Sequence, residues 1–126
     1  MIVVTDILDL IYLQVKKIGL PTYKTGNIPD NLAGERVTVN VKERQIEKLW
    51  SKCFANVNLI VPDIASGTNQ ARLKTLERQV TPLLEGVSTY DGTTFRYSVY
   101  SSQIEEGENY HFVNIKIIVE IINVKL

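Results

Sequence analysis

Apolar residues along the chain recur first at helical spacing and then at strand spacing. Ile7, Leu8, Ile11, Val15 and Ile18 follow one another at steps that lay a single apolar stripe along a helix. Thr5 stands where it could cap that helix. Asp6 and Asp9 put carboxylates near the positive end of its dipole, and Gly19 is the residue expected just past its C-terminus. The spacing predicts a helix over residues 5–18, with Leu20 and Pro21 beyond it. A second stripe, Leu73, Leu76, Val80 and Leu83 or Leu84, predicts another helix, capped by Ser66 or Thr68, with Arg72, Lys74, Glu77 and Arg78 turned to water. Pro82 falls inside this pattern. A proline in a helix interior costs about 3 kcal/mol, so this helix is expected to kink or end near Val80 and to stop by Gly86.

Elsewhere the period changes to two. Val37, Val39 and Val41 alternate with Thr38 and Asn40, as on a half-buried strand. Residues 51–61 alternate again, with Cys53, Ala55, Val57, Leu59 and Val61 on one face and Phe54, Asn56, Asn58 and Ile60 on the other. Pro62 and Asp63 are expected to end this strand, because proline has no amide hydrogen to give the ladder. Residues 20–35 read as an irregular connection crowded with glycine, proline and asparagine. The polar stretch 42–52 is compatible with a helical turn or a wide connection. Asp91-Gly92 marks a hairpin between two strand-like runs, and a second turn at 105–109 leads into a last strand over Tyr110–Val124.

That last segment exceeds the needs of a small sheet. It would extend about 50 Å at roughly 3.3 Å per residue, and its apolar residues Ile117, Ile118, Val119, Ile121 and Ile122 occupy both faces. Two readings fit: a bulged central strand covered on both sides, or a strand that pairs or packs across a subunit boundary. On the second reading these five residues are a candidate assembly interface. The order helix, strand, strand, helix, hairpin, strand predicts an α+β fold. Its mainly antiparallel sheet should carry two helices packed on one face, in a single domain over residues 1–126.

Composition narrows the function classes. Fourteen Lys plus Arg balance fourteen Asp plus Glu, so the chain exerts no long-range pull on nucleic acid, and neutrality favours self-association. Cys53 is the single cysteine, so no internal disulfide can form, and His111 is the single histidine. Cys53 reads as a small buried hydrophobe and His111 as a strand or surface residue. The N-terminal segment has no basic region or cleavage site of a signal peptide, and no stretch approaches the roughly 20 apolar residues of a membrane span. Phosphate-loop, dinucleotide, zinc and nucleophile-elbow patterns are missing, so neither an enzyme activity nor a cofactor is expected. Glu105, Glu106 and Glu108 form the densest charge cluster, read as solvated carboxylates at a turn. Trp50, Phe54, Tyr97, Tyr100 and Tyr110 would suit a stacking platform for single-stranded nucleic acid, but no basic residues interleave them in sequence, which favours packing.

The run FANVNLIVPD at 54–63, the helix ARLKTLERQVTPLLEG that follows it and the closing EGENYHFVNIKIIVEI at 106–121 resemble the tail-terminator or tail-completion proteins of long-tailed bacteriophages and prophages. The resemblance extends in element order over nearly the whole chain. It implies a structural virion protein, assembled in the bacterial cytoplasm, whose copies form a ring, typically a hexamer. Such a ring caps the tail-tube protein, joins it to the head-completion or connector protein, and lets DNA pass through its lumen without sequence recognition. Under that resemblance Glu105, Glu106 and Glu108 become a candidate lumen or tube-contact hairpin. Pro82 and the polar 42–52 stretch fit the family pattern less well. The competing reading is a small-ligand or peptide-binding α+β module, with Tyr12, Tyr23 and Asn40 as its candidate polar groups.

Overall fold

In the computed structural model the described residues are 3–30, 32–46, 50–90 and 92–122, with backbone alone at 43–46, 50 and 122. The first helix, α1, spans Val4–Val15 and tightens into a 3-10 turn over Lys16–Ile18. Its cap lies two residues before the expected one. Thr5 is inside the helix, and Val3 is the capping position, its amide donating to the Asp6 carboxylate at 2.9 Å. The far end is as the sequence predicts. Gly19 adopts a left-handed backbone (φ 85°) that a side chain would disfavour, and its amide donates to the Lys16 carbonyl.

Six strands follow: β1 Thr22–Lys24, β2 Arg36–Ile46, β3 Trp50–Pro62, β4 Gly86–Tyr90, β5 Thr93–Glu106 and β6 Tyr110–Ile122. They form one curled sheet in the order β1-β2-β3-β6-β5-β4, antiparallel except for the β1–β2 pair. The expected α+β class is therefore observed. The 20–35 connection is corrected by the short parallel strand β1. The 42–52 stretch is neither helix nor loop where it is described, because β2 runs on to Ile46 and β3 begins at Trp50. A bulge interrupts the β2–β3 ladder between Val41 and Arg44, so two residues of β2 oppose one of β3. Residues 47–49, Asp91 and the final residues 123–124 of the expected last strand lie outside the described residues.

Helix α2 spans Gln70–Val80 and passes at Thr81 into a 3-10 turn ending at Leu84, with Pro82 in its first positions, where no amide is needed. The helix therefore ends where Pro82 requires. Its cap is Asn69, which accepts from the Arg72 amide, and not Ser66 or Thr68. Arg72 also forks onto Glu35 through two bonds of 2.7 and 2.9 Å, fastening the loop before β2 to α2. That hydrogen bond raises the guanidinium pKa.

Both helices lie on one face. Ile7, Leu10, Ile11 and Val15 of α1 and Leu73, Leu76 and Val80 of α2 share one core with buried odd-numbered residues of the sheet, Val37 and Val39 of β2, Val57 and Leu59 of β3 and Ile115 and Ile117 of β6 among them. Each fully buried aliphatic side chain of this kind contributes about 1.5–3 kcal/mol. The pattern yields a contrast in α2. Leu76→Ala should cost about 2–5 kcal/mol, whereas Lys74→Ala on the exposed side should cost under about 0.5 kcal/mol by urea titration. Equal costs would contradict the observed helix phase.

Candidate functional site

The parity that buries the odd residues turns the even ones onto a sheet face that neither helix covers. Cross-strand register arranges them in rows. Arg36, Ile60, Phe112 and Glu105 stand side by side; next come Thr38, Asn58, Asn114 and Gln103, then Asn40, Asn56, Lys116 and Ser101. Phe54, Ile118 and Ser98 follow, and Lys52, Glu120 and Arg96 close the series. The second row is bonded side chain to side chain. Asn114 Nδ2 donates to Asn58 Oδ1 at 2.7 Å, and Asn58 Nδ2 donates to Thr38 Oγ1 at 3.2 Å. Thr38 and Asn114 are each 8% exposed, although no helix lies over them, as the sheet's curl allows. A buried amide without a partner would be costly, so this ladder fixes the amide orientations.

Aromatic rings flank the amide band at both ends. At one end Phe54 meets Tyr100 edge to face, with centroids 5.9 Å apart. Tyr100 occupies the bulge between Val99 and Ser101, which frees it from strand alternation and leaves it half exposed. At the other end Tyr110 and Phe112 lie 6.2 Å apart, and the Arg36 guanidinium sits 5.2 Å from the Tyr110 ring centroid. The Tyr110 ring also lies against Gly107, where an added Cβ would fall 2.2 Å from ring atoms. Any side chain at position 107 would displace that ring.

The residues singled out from the sequence do not all gather here. Ile117, Val119 and Ile121 are core residues beneath the helices, 0–1% exposed, while Ile118 is half-buried on the opposite face beside Phe54. The side chain of Ile122 lies outside the described residues. β6 has β3 on one side and β5 on the other, so it is a central strand, and both of its edges are paired within the chain. Its length matches the two long strands it pairs with, while its apolar residues divide between the core and the uncovered face. The three carboxylates separate as well. Glu105 lies on the uncovered face and accepts from Gln103, Glu106 opposes His111 on the helix-side face, and Glu108 is at the turn. The turn is held down, since the Asp63 amide donates to the Asn109 carbonyl and His111 Nδ1 lies 2.7 Å from Asp63 Oδ1.

Tyr12 stands on α1 near Lys16 and Lys24, whereas Tyr23 and Asn40 belong to the sheet's other side, so these three do not converge on one pocket. Lys24 is also paired with Asp9. Of the aromatic set, Phe54, Tyr100 and Tyr110 share the uncovered face. Tyr97 is in the core, and the Trp50 side chain lies outside the described residues. Burial pushes the Tyr97 phenol pKa up; Ser88 and Gln14 oppose this, but neither closes a hydrogen bond to its oxygen. Cys53 is buried, its thiol donating to the Lys42 carbonyl at the bulge. Among the described residues no three His, Cys, Asp or Glu side chains gather as metal ligands, and no helix is long and apolar enough to cross a membrane.

Arg36, Asn58, Asn114 and Lys116 are the residues that sequence reasoning missed. They come from three strands distant in the chain, β2, β3 and β6, and the available signal was their even-numbered place in those alternating strands.

No family model and no curated protein matches the chain. Solved structures do share its fold. One protein superposes with a TM-score of 0.69 at 15% identity, covering 97% of this chain and 94% of its own. A component of the virion of a native gene transfer agent particle superposes with a TM-score of 0.63 at 15% identity, covering 90% of this chain and 92% of its own. At this identity the likeness establishes a common fold, and that fold is one used inside a virion.

Proposed function

We propose that the chain is a structural, non-catalytic subunit of a phage-type virion, and specifically a tail terminator. Its copies close into a ring, hexameric by resemblance, that caps the tail-tube protein, bears the connector and lets DNA pass. The observation that carries this reading is the superposition on a gene transfer agent virion component over nearly the full length of both chains. The sequence resemblance supports it independently. The two distinctive runs, 54–63 and 106–121, supply most of β3 and β6, which pair with each other at the centre of the sheet. The ring assembles in the cytoplasm and remains in the virion. Glu106 and Glu108, both exposed, are the carboxylates of the acidic hairpin best placed to meet a tube or lumen.

The test is assembly on tubes. Purified chain added to growing tail tubes should bind one end and fix their length in electron micrographs, and its mass by light scattering should rise to a discrete oligomer at the tube end or at high concentration. Tubes that elongate unchanged, with no chain at their ends, would refute the terminator role.

A further inference from the structure

The fold brings together what the sequence keeps apart: cations placed among aromatic rings on one open surface. Among the described residues in its cross-strand rows, the uncovered face carries Arg36, Lys52, Arg96 and Lys116 against Glu105 and Glu120, four positive charges to two negative, in a chain that is neutral overall. Arg96 is paired with Glu120 at 2.9 Å, and Arg36 rests over Tyr110. Lys116 is half-buried in the middle of the face, in register between Asn56 and Ser101. No ion pair holds it among the described residues. An unpaired cation set among amides is a site for an anion, since partial desolvation strengthens its pull on a negative group.

The rings lie at the two ends of this band. Phe112 and Ile118, which mark those ends, are separated along β6 by about 20 Å at roughly 3.3 Å per residue. Between them are donors and acceptors of Asn40, Asn56 and Gln103, with Tyr100 lifted by its bulge and exposed. A positively charged track with aromatic faces and amide groups is what binds single-stranded nucleic acid, where cations meet phosphates, rings stack on bases and amides meet base edges. Duplex DNA hides its base faces and could use only the charges.

We propose that the uncovered sheet face binds single-stranded nucleic acid, with Lys116 on the phosphate backbone and Tyr100, backed by Phe54, as the stacking ring. The inference does not rest on the virion reading and stands or falls separately from it.

Fluorescence anisotropy with a labelled oligothymidylate of about 12 nucleotides tests it. Binding should weaken as salt rises. Lys116→Gln should weaken it further and lower the slope of log affinity against log salt by about 0.7, the loss of one phosphate contact on a single strand. Tyr100→Ala should weaken binding about fivefold to a hundredfold, while Tyr100→Phe keeps it. Ser101→Glu sets a carboxylate opposite Lys116 and should abolish binding even if another variant fails to fold. Lys74→Gln, on the helix side, should change nothing. The proposal is overturned if the oligonucleotide does not bind, or if a duplex of equal length binds as tightly. Equal binding of a polyglutamate peptide would overturn it in favour of an acidic protein partner. A Tyr100→Ala variant that binds like the wild type would also overturn it.

Discussion

Replacing Phe95 by alanine should lower stability by about 3–5 kcal/mol, among the larger losses available to a single truncation in this fold. The ring is fully buried under the helices, opposite Ile121 on β6, and meets Tyr90 at 6.5 Å with the planes 65° apart. Truncation removes the largest fully buried side chain among the described residues and leaves a cavity that strands fixed by ladder bonds cannot close. For a chain of this size the loss corresponds to a fall of about 10–20 °C in Tm, read by circular dichroism. Tyr100→Ala, two turns of the strand pleat away on an exposed bulge, should shift Tm by no more than a few degrees. A Phe95→Ala protein that melts within a few degrees of the wild type would show that the ring does not fill the core.

Neighbouring isoleucines on β6 should respond to lysine in opposite ways. Ile117 is fully buried among Ala55, Val99 and the helices, so Ile117→Lys puts an unpaired ammonium into an apolar core, at a cost above about 4–5 kcal/mol. That variant should have no cooperative transition at 25 °C. Ile118 points to the other face, half-buried between Phe54 and Ser98, where a lysine can extend its ammonium into water along its aliphatic stem. Ile118→Lys should cost about 1 kcal/mol and keep its native melt. If the two variants behaved alike, the register of β6 would be shifted by one residue, since a one-residue slip exchanges the faces of the whole strand.

Such contrasts can be stated because much of the core was legible in advance. Val57, Leu59, Val113 and Ile115 alternate strictly because helices cover one face of their strands, and the period of two records that one-sidedness. Helix α2 was readable to its end because Pro82 acts locally. The missed features are non-local or short. β1 has three residues and owes its existence to pairing with Val37–Val39, which nothing in Thr22–Lys24 announces. The extension of β2 to Ile46 carries charged residues instead of an apolar alternation, and the bulge after Val41 shifts its parity as well. The uncovered face was the least legible part. Arg36 and Phe112 come into one row, on either side of Ile60, only through the order β2-β3-β6, and that order decides for the central placement of the last strand.

That central position governs how the protein can be made. β3 has its whole inner edge paired with β6, and β5 pairs with β6 over nearly all its length, yet β6 is synthesised after both. Until Tyr110–Ile122 leaves the ribosome, the β2–β3 and β4–β5 hairpins have no common sheet, and the apolar odd residues of β3 lie along an open ladder. Closing it joins segments some 50 to 70 positions apart in the chain, such as Val61 with His111 and Trp50 with Ile122. Contacts this distant make for slow folding, and the waiting edge is exposed to other nascent chains. Ribosome-bound chains stalled before β6 emerges should therefore engage chaperones and remain protease-sensitive, becoming resistant in one step once the strand is free to insert.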